Sequence, residues 1–390
     1  MTRYLVVGGG MTADAAVHGI RELDKDGAIA VVGAESDPPY NRPPLTKALW
    51  KGDPLESIWR KTGDAGAELH FGHRVTALDL AAGTARDDHG NGYRFDKLLL
   101  ATGASPRKLP FGGDDIIYYR TLDDYRQVRS IADKRGAVVV IGGGFIGSEI
   151  AAALAMNGCQ VTMIFPENGI GARIFPDDLA RFLVGYYREK GVDVQPAREV
   201  TGVQRTNTGL VVATKSQAQV KADAVIAGIG VSPNVELARA TGLAIDDGII
   251  VDQHLLTSHP AVYAAGDVAR FTSPVLGKPM RVEHEDNANT MGHAAGRAMA
   301  GDATPYTHLP FFYSDLFELG YEAVGETDPR LDIVADWKTP FHEGVVYYLS
   351  GGRVRGVLLW GIFGQVDAAR ALIAEPGPFT AATLKGRLHA

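Results

Sequence analysis

Cysteine is almost absent from this chain of 390 residues, with Cys159 the only one. An internal disulfide is therefore excluded. Long apolar runs are missing too: none approaches the roughly 20 residues that a membrane-crossing helix needs, so no membrane span is expected. Positive charge is in deficit, with 39 Lys and Arg against 46 Asp and Glu and a net charge of −7. That balance argues against nucleic acid or an anionic membrane as the main partner. A strand is expected to begin by Tyr4, which leaves no room ahead of it for a signal or transit peptide. With a single cysteine, the expected location is the cytoplasm. Low-complexity tracts are also lacking, and the 47 glycines fall at turns between apolar runs.

Two of those turns share one plan. Arg3–Val7 reads as an apolar strand, and Gly8-x-Gly10-x-x-Ala13 follows it directly, ahead of a helix expected to run to about Leu23. Gly8 allows the tight turn, Gly10 lets backbone approach a pyrophosphate, and Ala13 lets helix and strand lie close. The helix N-terminus then favours the phosphates. A second strand, Ile29–Gly33, leads to Glu35, 27 residues after Gly8, where a carboxylate can accept from an adenosine ribose. The plan recurs with strand Val138–Ile141, turn Gly142-x-Gly144-x-x-Gly147, helix Ser148–Met156 and strand Val161–Phe165. That strand leads into Glu167, 25 residues after Gly142. One such turn is weak evidence. Two, each with strand, helix, strand and acid in order, imply an α/β protein that holds two dinucleotides.

Two further stretches, "KLLLATGASPRKLP" (97–110) and "DAVIAGIGVSPN" (223–234), share a form: an apolar strand, a small turn, then proline. They read as the two crossings between one domain and another inserted into it. "AVYAAGDVARF" (261–271) is a strand that stops at Gly266-Asp267. An acid at the C-terminal end of a strand faces the ligand crevice of an open sheet.

With these segments in hand, the chain resembles the FAD-dependent pyridine nucleotide oxidoreductases. Within them, "PPYNRPPLTKALW" (38–50) and "RVEHEDNANTMGHAAG" (281–296) resemble the branch of ferredoxin reductases and apoptosis-inducing factors. "GGGFIGSEIAAAL" and "FPENGIGARIFP" lean toward the latter. The likeness extends through "FFYSDLFELGYEAVG" (311–325) and "VLLWGIF" (357–363). It implies two Rossmann-like domains and a C-terminal α+β domain. An FAD domain would be made of residues 1–108 and 232–306, an NAD domain of 109–231 would be inserted in it, and 307–390 would form the third. A hairpin around Ser350-Gly351-Gly352 and a closing helix Val366–Ala374 fit that last part.

The resemblance places Gly8, Gly10, Ala13, Glu35, Arg42, Lys47, Val75, Arg120, Asp267, His284 and Glu285 against FAD. It places Gly142, Gly144, Phe145, Ile146, Gly147, Glu149, Glu167, Arg173, Gly230, Glu283 and Glu322 near NADH. Arg42 suits a bidentate bond to pyrophosphate, and Asp267 suits the ribitol chain. Phe145 is expected to cover the flavin until nicotinamide displaces it. Lys47 is expected beside the flavin with Glu149 as its partner, since a buried lysine without a counter-charge tends to neutralise. No metal site is expected. Cys159, in "NGCQV", reads as a small buried residue.

The branch commonly carries Trp where this chain has Tyr313, a change that alters stacking beside the flavin. The mitochondrial apoptosis-inducing factors carry a targeting region and a long C-terminal insertion. Neither is expected here, where "DIVADWKTPFHEG" (332–344) leaves no room for the insertion. Death signalling and DNA binding are therefore not carried over. The implied activity is transfer of electrons from NADH through FAD to an acceptor such as ferredoxin or rubredoxin. A quinone or a monodehydroascorbate-type substrate, a slow NADH-responsive flavoprotein, and a homodimer stay open. A thiol–disulfide reductase needs a redox cysteine after the "PPY" stretch, which here reads "RPPLTK".

Overall fold

The computed structural model describes residues 1–388. The chain forms two compact units. The first is built from Met1–Arg42, Leu55–Ser105 and Ser232–Pro310, the second from Pro43–Pro54, Pro106–Val231 and the chain from Phe311 onward. The chain crosses between them at Arg42/Pro43, Pro54/Leu55, Ser105/Pro106, Val231/Ser232 and Pro310/Phe311, the third and fourth within the two proline-bearing stretches.

In the first unit, Arg3–Val7 is the middle strand of a parallel sheet. The order is Val262–Ala264, Lys97–Leu100, Arg3–Val7, Ala28–Gly33, Glu68–Phe71. Its strands are short, apolar and buried, as expected when both faces of a parallel sheet are covered. Helix Met11–Leu23 follows the first strand and packs on helix Glu285–Met299. The two helices touch backbone to backbone: a Cβ on Gly296 would lie 2.1 Å from the Ala16 carbonyl oxygen. A three-stranded antiparallel sheet, Val75–Asp79, Thr84–Asp87 and Gly92–Arg94, is built into the same unit.

The second unit repeats the parallel plan in the order Asp193–Gln195, Gln160–Ile164, Ala137–Ile141, Ala224–Ala227, Ile116–Tyr118. It also holds a five-stranded antiparallel sheet in the order Phe311–Leu316, Leu319–Gly325, Arg353–Trp360, Glu343–Ser350, Asp332–Thr339. Its two-residue turn at Gly351 and Gly352, both at positive φ, closes the expected hairpin, and helix Val366–Ala374 follows. The α/β reading, with two parallel sheets and a C-terminal antiparallel sheet, therefore holds. The second helix begins at Phe145 rather than Ser148, because the residues after Gly144 go straight into the first turn. The segment Pro43–Pro54 packs within the second unit. There the Trp50 indole donates to the Leu45 carbonyl at 2.7 Å, and the Tyr119 hydroxyl donates to that same carbonyl.

No described helix is long and apolar enough to cross a membrane.

Candidate functional site: two glycine cradles and a buried ion pair

In the first unit, Gly8 sits at φ +132°, and a Cβ there would fall 2.0 Å from the Ala101 carbonyl oxygen. Glycine is required by both backbone conformation and contact. Gly10 differs. It caps helix Met11–Leu23 in extended geometry with no side-chain cap, and a Cβ on it meets no atom within 4 Å. The helix N-terminus therefore opens onto space for an anion, where its unsatisfied amides and dipole favour negative charge. Ala13 is fully buried. Asp14, a carboxylate in that first turn, would repel a phosphate, but Arg60 neutralises it at 2.8 Å and the Thr62 hydroxyl donates to it at 2.6 Å. The sequence reading missed this pairing, since the three lie up to 48 residues apart.

Glu35 stands just past the end of strand Ala28–Gly33. It accepts from the Tyr40 hydroxyl at 2.6 Å and from the Arg42 guanidinium at 2.8 Å. Burial works against the Arg42 charge, but Tyr40, Glu35 and Asp267 together hold its pKa above the ordinary value. Asp267 is buried behind Gly266, whose φ of +76° and approach to Thr12 bring that turn against the start of the helix. Val75 is buried in the core of this unit. Glu283 pairs with Arg281 at 2.5 Å, and His284 and Glu285 open helix Glu285–Met299. The first unit thus gathers a helix N-terminus, an acid and a guanidinium.

In the second unit, Gly142 at φ +114° lies against the Gly228 carbonyl, and Gly147 lies against the Gly142 carbonyl. Gly144 caps helix Phe145–Met156 without a side-chain cap, and a Cβ on it also meets nothing within 4 Å. The two turns are alike down to which glycine is crowded and which is open. Glu167 accepts both the Nε and Nη2 of Arg173 on one oxygen, at 3.1 and 2.8 Å. Arg173 is 81 % exposed and Glu167 27 %. Ile146 is the second residue of the helix. Gly230, at φ +94°, accepts the Arg107 amide at 2.9 Å. The Arg120 amide donates to Asp124, ahead of helix Leu122–Ala132.

Lys47 lies between two short turns, Pro43–Thr46 and Ala48–Trp50. Its Nζ is 2.7 Å from Glu149 Oε1, and the two side chains are 11 % and 4 % exposed. Glu149 also accepts the Ser314 hydroxyl at 2.6 Å on Oε1 and the Thr46 hydroxyl at 2.5 Å on Oε2. A buried ion pair is worth having only when its remaining lone pairs are satisfied, and here two hydroxyls do that. Burial, with the charge of Glu149 adding to it, raises the Tyr187 and Tyr321 phenols well above their ordinary pKa. Lys47 also sits 5.4 Å over the Tyr313 ring, and the Phe145 ring meets Phe312 edge-on at 5.2 Å. Tyr313 pairs with Glu322 across the antiparallel sheet, and Glu322 accepts the Gly364 amide at 3.1 Å. Thr46 and Ser314 were not singled out from the sequence, and no local motif marks them.

Cys159 is buried in the turn after helix Phe145–Met156, and burial raises its thiol pKa. That is the opposite of what activates a thiolate.

Residues 2–292 match the family model of pyridine nucleotide-disulphide oxidoreductases, and residues 295–340 match the C-terminal model of mitochondrion-associated apoptosis-inducing factor. The chain is 34 % identical to apoptosis-inducing factor 1, mitochondrial, of Dictyostelium discoideum, across 96 % of this chain and 78 % of the relative. It is 33 % identical to a putidaredoxin reductase of Pseudomonas putida, across 90 % of this chain and 87 % of that one. Among solved structures, the covalent putidaredoxin reductase–putidaredoxin complex matches with a TM-score of 0.91 at 30 % identity, covering 97 % of this chain and 94 % of that one.

Proposed function

Because the chain belongs to the pyridine nucleotide-disulphide oxidoreductase family, in its ferredoxin reductase and apoptosis-inducing factor-like branch, we propose that it carries electrons from NADH, by way of FAD, to a ferredoxin-type iron–sulfur protein. That family makes it an NAD(P)H-dependent flavoprotein oxidoreductase. Bound FAD supplies the conversion of a two-electron donor into one-electron steps, and the protein aligns and tunes it.

The residues present fit the two dinucleotides, and the observation that carries the reading is the matched pair of open glycines. Gly10 and Gly144 are the positions at which a Cβ would enter otherwise open space in front of a helix N-terminus. The first unit is read as the FAD domain. There Gly10 admits the pyrophosphate, Arg42 pairs with it, Glu35 accepts from the adenosine ribose, and Asp267 accepts from the ribitol hydroxyls. The 109–231 region is read as the NAD domain, with Glu167 on the ribose, and 307–390 as the C-terminal domain. Lys47, paired with Glu149 at 2.7 Å, is read as the positive charge for the flavin ring and Phe145 as its cover. One buried cysteine provides no thiol relay, so electrons leave the flavin directly.

The ferredoxin acceptor is supported by the relatives that serve such partners: a putidaredoxin reductase, and the reductase component of an anthranilate dioxygenase system from Burkholderia cepacia. The purified protein, supplied with NADH, should reduce ferricyanide directly and cytochrome c only once a [2Fe–2S] ferredoxin is added. Cytochrome c reduction that ignores ferredoxin at every concentration would contradict the assignment. A second reading, a slow NADH-responsive flavoprotein, draws on the match of residues 295–340 to the apoptosis-inducing factor C-terminal model. Slow turnover with every acceptor would favour it.

A further inference from the structure

Three potential metal ligands meet on the antiparallel sheet of the first unit. His73 comes just before strand Val75–Asp79, Asp87 ends strand Thr84–Asp87, and His89 lies in the turn that follows. His73 Nδ1 is 2.7 Å from Asp87 Oδ2 and 3.0 Å from His89 Nδ1. One donor atom from each of the three lies within 4.8 Å of the other two.

Protons alone serve this arrangement poorly. A neutral imidazole nitrogen carries either one hydrogen or one lone pair. His73 Nδ1 nevertheless faces a carboxylate oxygen, a second ring nitrogen, and the Asn91 amide nitrogen at 3.4 Å. One shared hydrogen satisfies at most a bifurcated bond among them. Protonating both rings would bring two like charges together at 3.0 Å. A cation among the three would engage the facing ring nitrogens without needing that shared hydrogen.

The carboxylate is built as a ligand is built. Asp87 has a fully buried side chain, and His73 is its only ion-pair partner among the described residues. Its Oδ1 accepts the His89 and Asn91 amides at 3.0 and 2.8 Å, which fixes its orientation. Oδ2 accepts the Tyr93 hydroxyl at 2.8 Å and the Asn91 side chain at 2.9 Å. Such outer partners orient a metal-binding carboxylate and are as much part of a site as the ligands. His73 is anchored through its own amide, which donates to the Gly33 carbonyl at 3.0 Å. His89 is exposed, so the site opens to solvent on one side.

We propose that His73, Asp87 and His89 bind a divalent transition-metal ion of the zinc class, with water completing its coordination. Two imidazoles and one carboxylate suit zinc, nickel or copper rather than magnesium or calcium, which prefer oxygen donors throughout. A tetrahedral ion with bonds of about 2.0–2.1 Å keeps its ligands roughly 3.3 Å apart. The two short edges must therefore open by a few tenths of an ångström, a movement that the exposed His89 turn permits. The sequence shows no pattern for the site because His73 and Asp87 meet only through strand pairing.

The test is calorimetric titration of the FAD-loaded protein with Zn²⁺, repeated on His89→Ala, on Asp87→Asn and on His342→Ala, a histidine outside the cluster. Wild type and His342→Ala should bind one equivalent that a large excess of Mg²⁺ does not displace. The two cluster variants should bind at least about tenfold more weakly. Co²⁺ should give visible absorption bands of a low-coordinate site in wild type and lose them in His89→Ala, which, as an exposed substitution, should keep the wild-type melting temperature. Absence of a stoichiometric Zn²⁺ site in wild type, or equal affinity in wild type and His89→Ala, overturns the proposal.

Discussion

Lys47 and Glu149 form an ion pair of 2.7 Å that solvent barely reaches, with the carboxylate held on its other sides by Thr46 and Ser314. Side chains from three stretches, each more than a hundred residues from the next, thus keep one charge pair in place. Removing one member of such a pair strands the other charge, at a cost of about 3–5 kcal/mol. Glu149→Gln should therefore lower stability more than the double variant Lys47→Met with Glu149→Gln. Chemical denaturation of both singles and the double measures this coupling. Additive losses would mean that the pair does not act as a unit.

On the proposed reading, where Lys47 lies beside the flavin ring and its charge favours the reduced form, Lys47→Met should lower the flavin midpoint potential and slow reduction by NADH. Each 1.4 kcal/mol of lost stabilisation corresponds to about 30 mV for a two-electron couple. Ser314→Ala and Thr46→Val should shift the potential less, because they loosen Glu149 while leaving the Lys47 charge in place. A spectroelectrochemical titration orders the three. A potential unchanged in Lys47→Met would remove the lysine from the flavin's surroundings.

The two glycines of the first turn should fail differently. Gly10→Val places a side chain in open space, since no atom lies within 4 Å of the new Cβ. The chain should fold and lose its yellow FAD. Gly8→Ala forces a Cβ to 2.0 Å from the Ala101 carbonyl oxygen at a positive φ and should impair folding itself. Circular dichroism and the flavin content of the purified variants separate the outcomes. Normal FAD content in Gly10→Val would contradict the cradle.

These turns were legible because strand, tight turn and helix N-terminus are all written within about a dozen residues, where local sterics decide the backbone. The hairpin at Gly351-Gly352 was legible for the same reason. Thr46, Ser314 and Arg60 were not, since each meets its partner across 46 residues or more. Helix Phe145–Met156 was read as starting three residues late because Phe145 and Ile146 carry no capping signal. The packing of Pro43–Pro54 within the second unit depends on Leu45, Trp50 and Tyr119, a contact that no spacing rule contains.

On the proposed reading, Glu167 and Arg173 set the nucleotide preference. Arg173 directs two donors to Glu167, so its charge is already engaged, and a 2′-phosphate would meet the carboxylate. Losing a charged hydrogen bond costs about 1.5–3 kcal/mol, roughly ten- to a hundredfold in kcat/KM for NADH over NADPH. Glu167→Ala should release Arg173 and narrow or reverse that ratio. Equal kcat/KM for the two nucleotides in the wild type would contradict the assignment.

In the proposed route, electrons pass directly from NADH through FAD to a one-electron acceptor, without a thiol. Anaerobic rapid mixing tests it most directly: one equivalent of NADH is added to the FAD-loaded protein in the presence of excess oxidised [2Fe–2S] ferredoxin. Flavin absorbance should bleach and recover while two equivalents of ferredoxin are reduced, with the same result in Cys159→Ser. Ferredoxin that stays oxidised while a disulfide is reduced, or activity lost in Cys159→Ser, would contradict it.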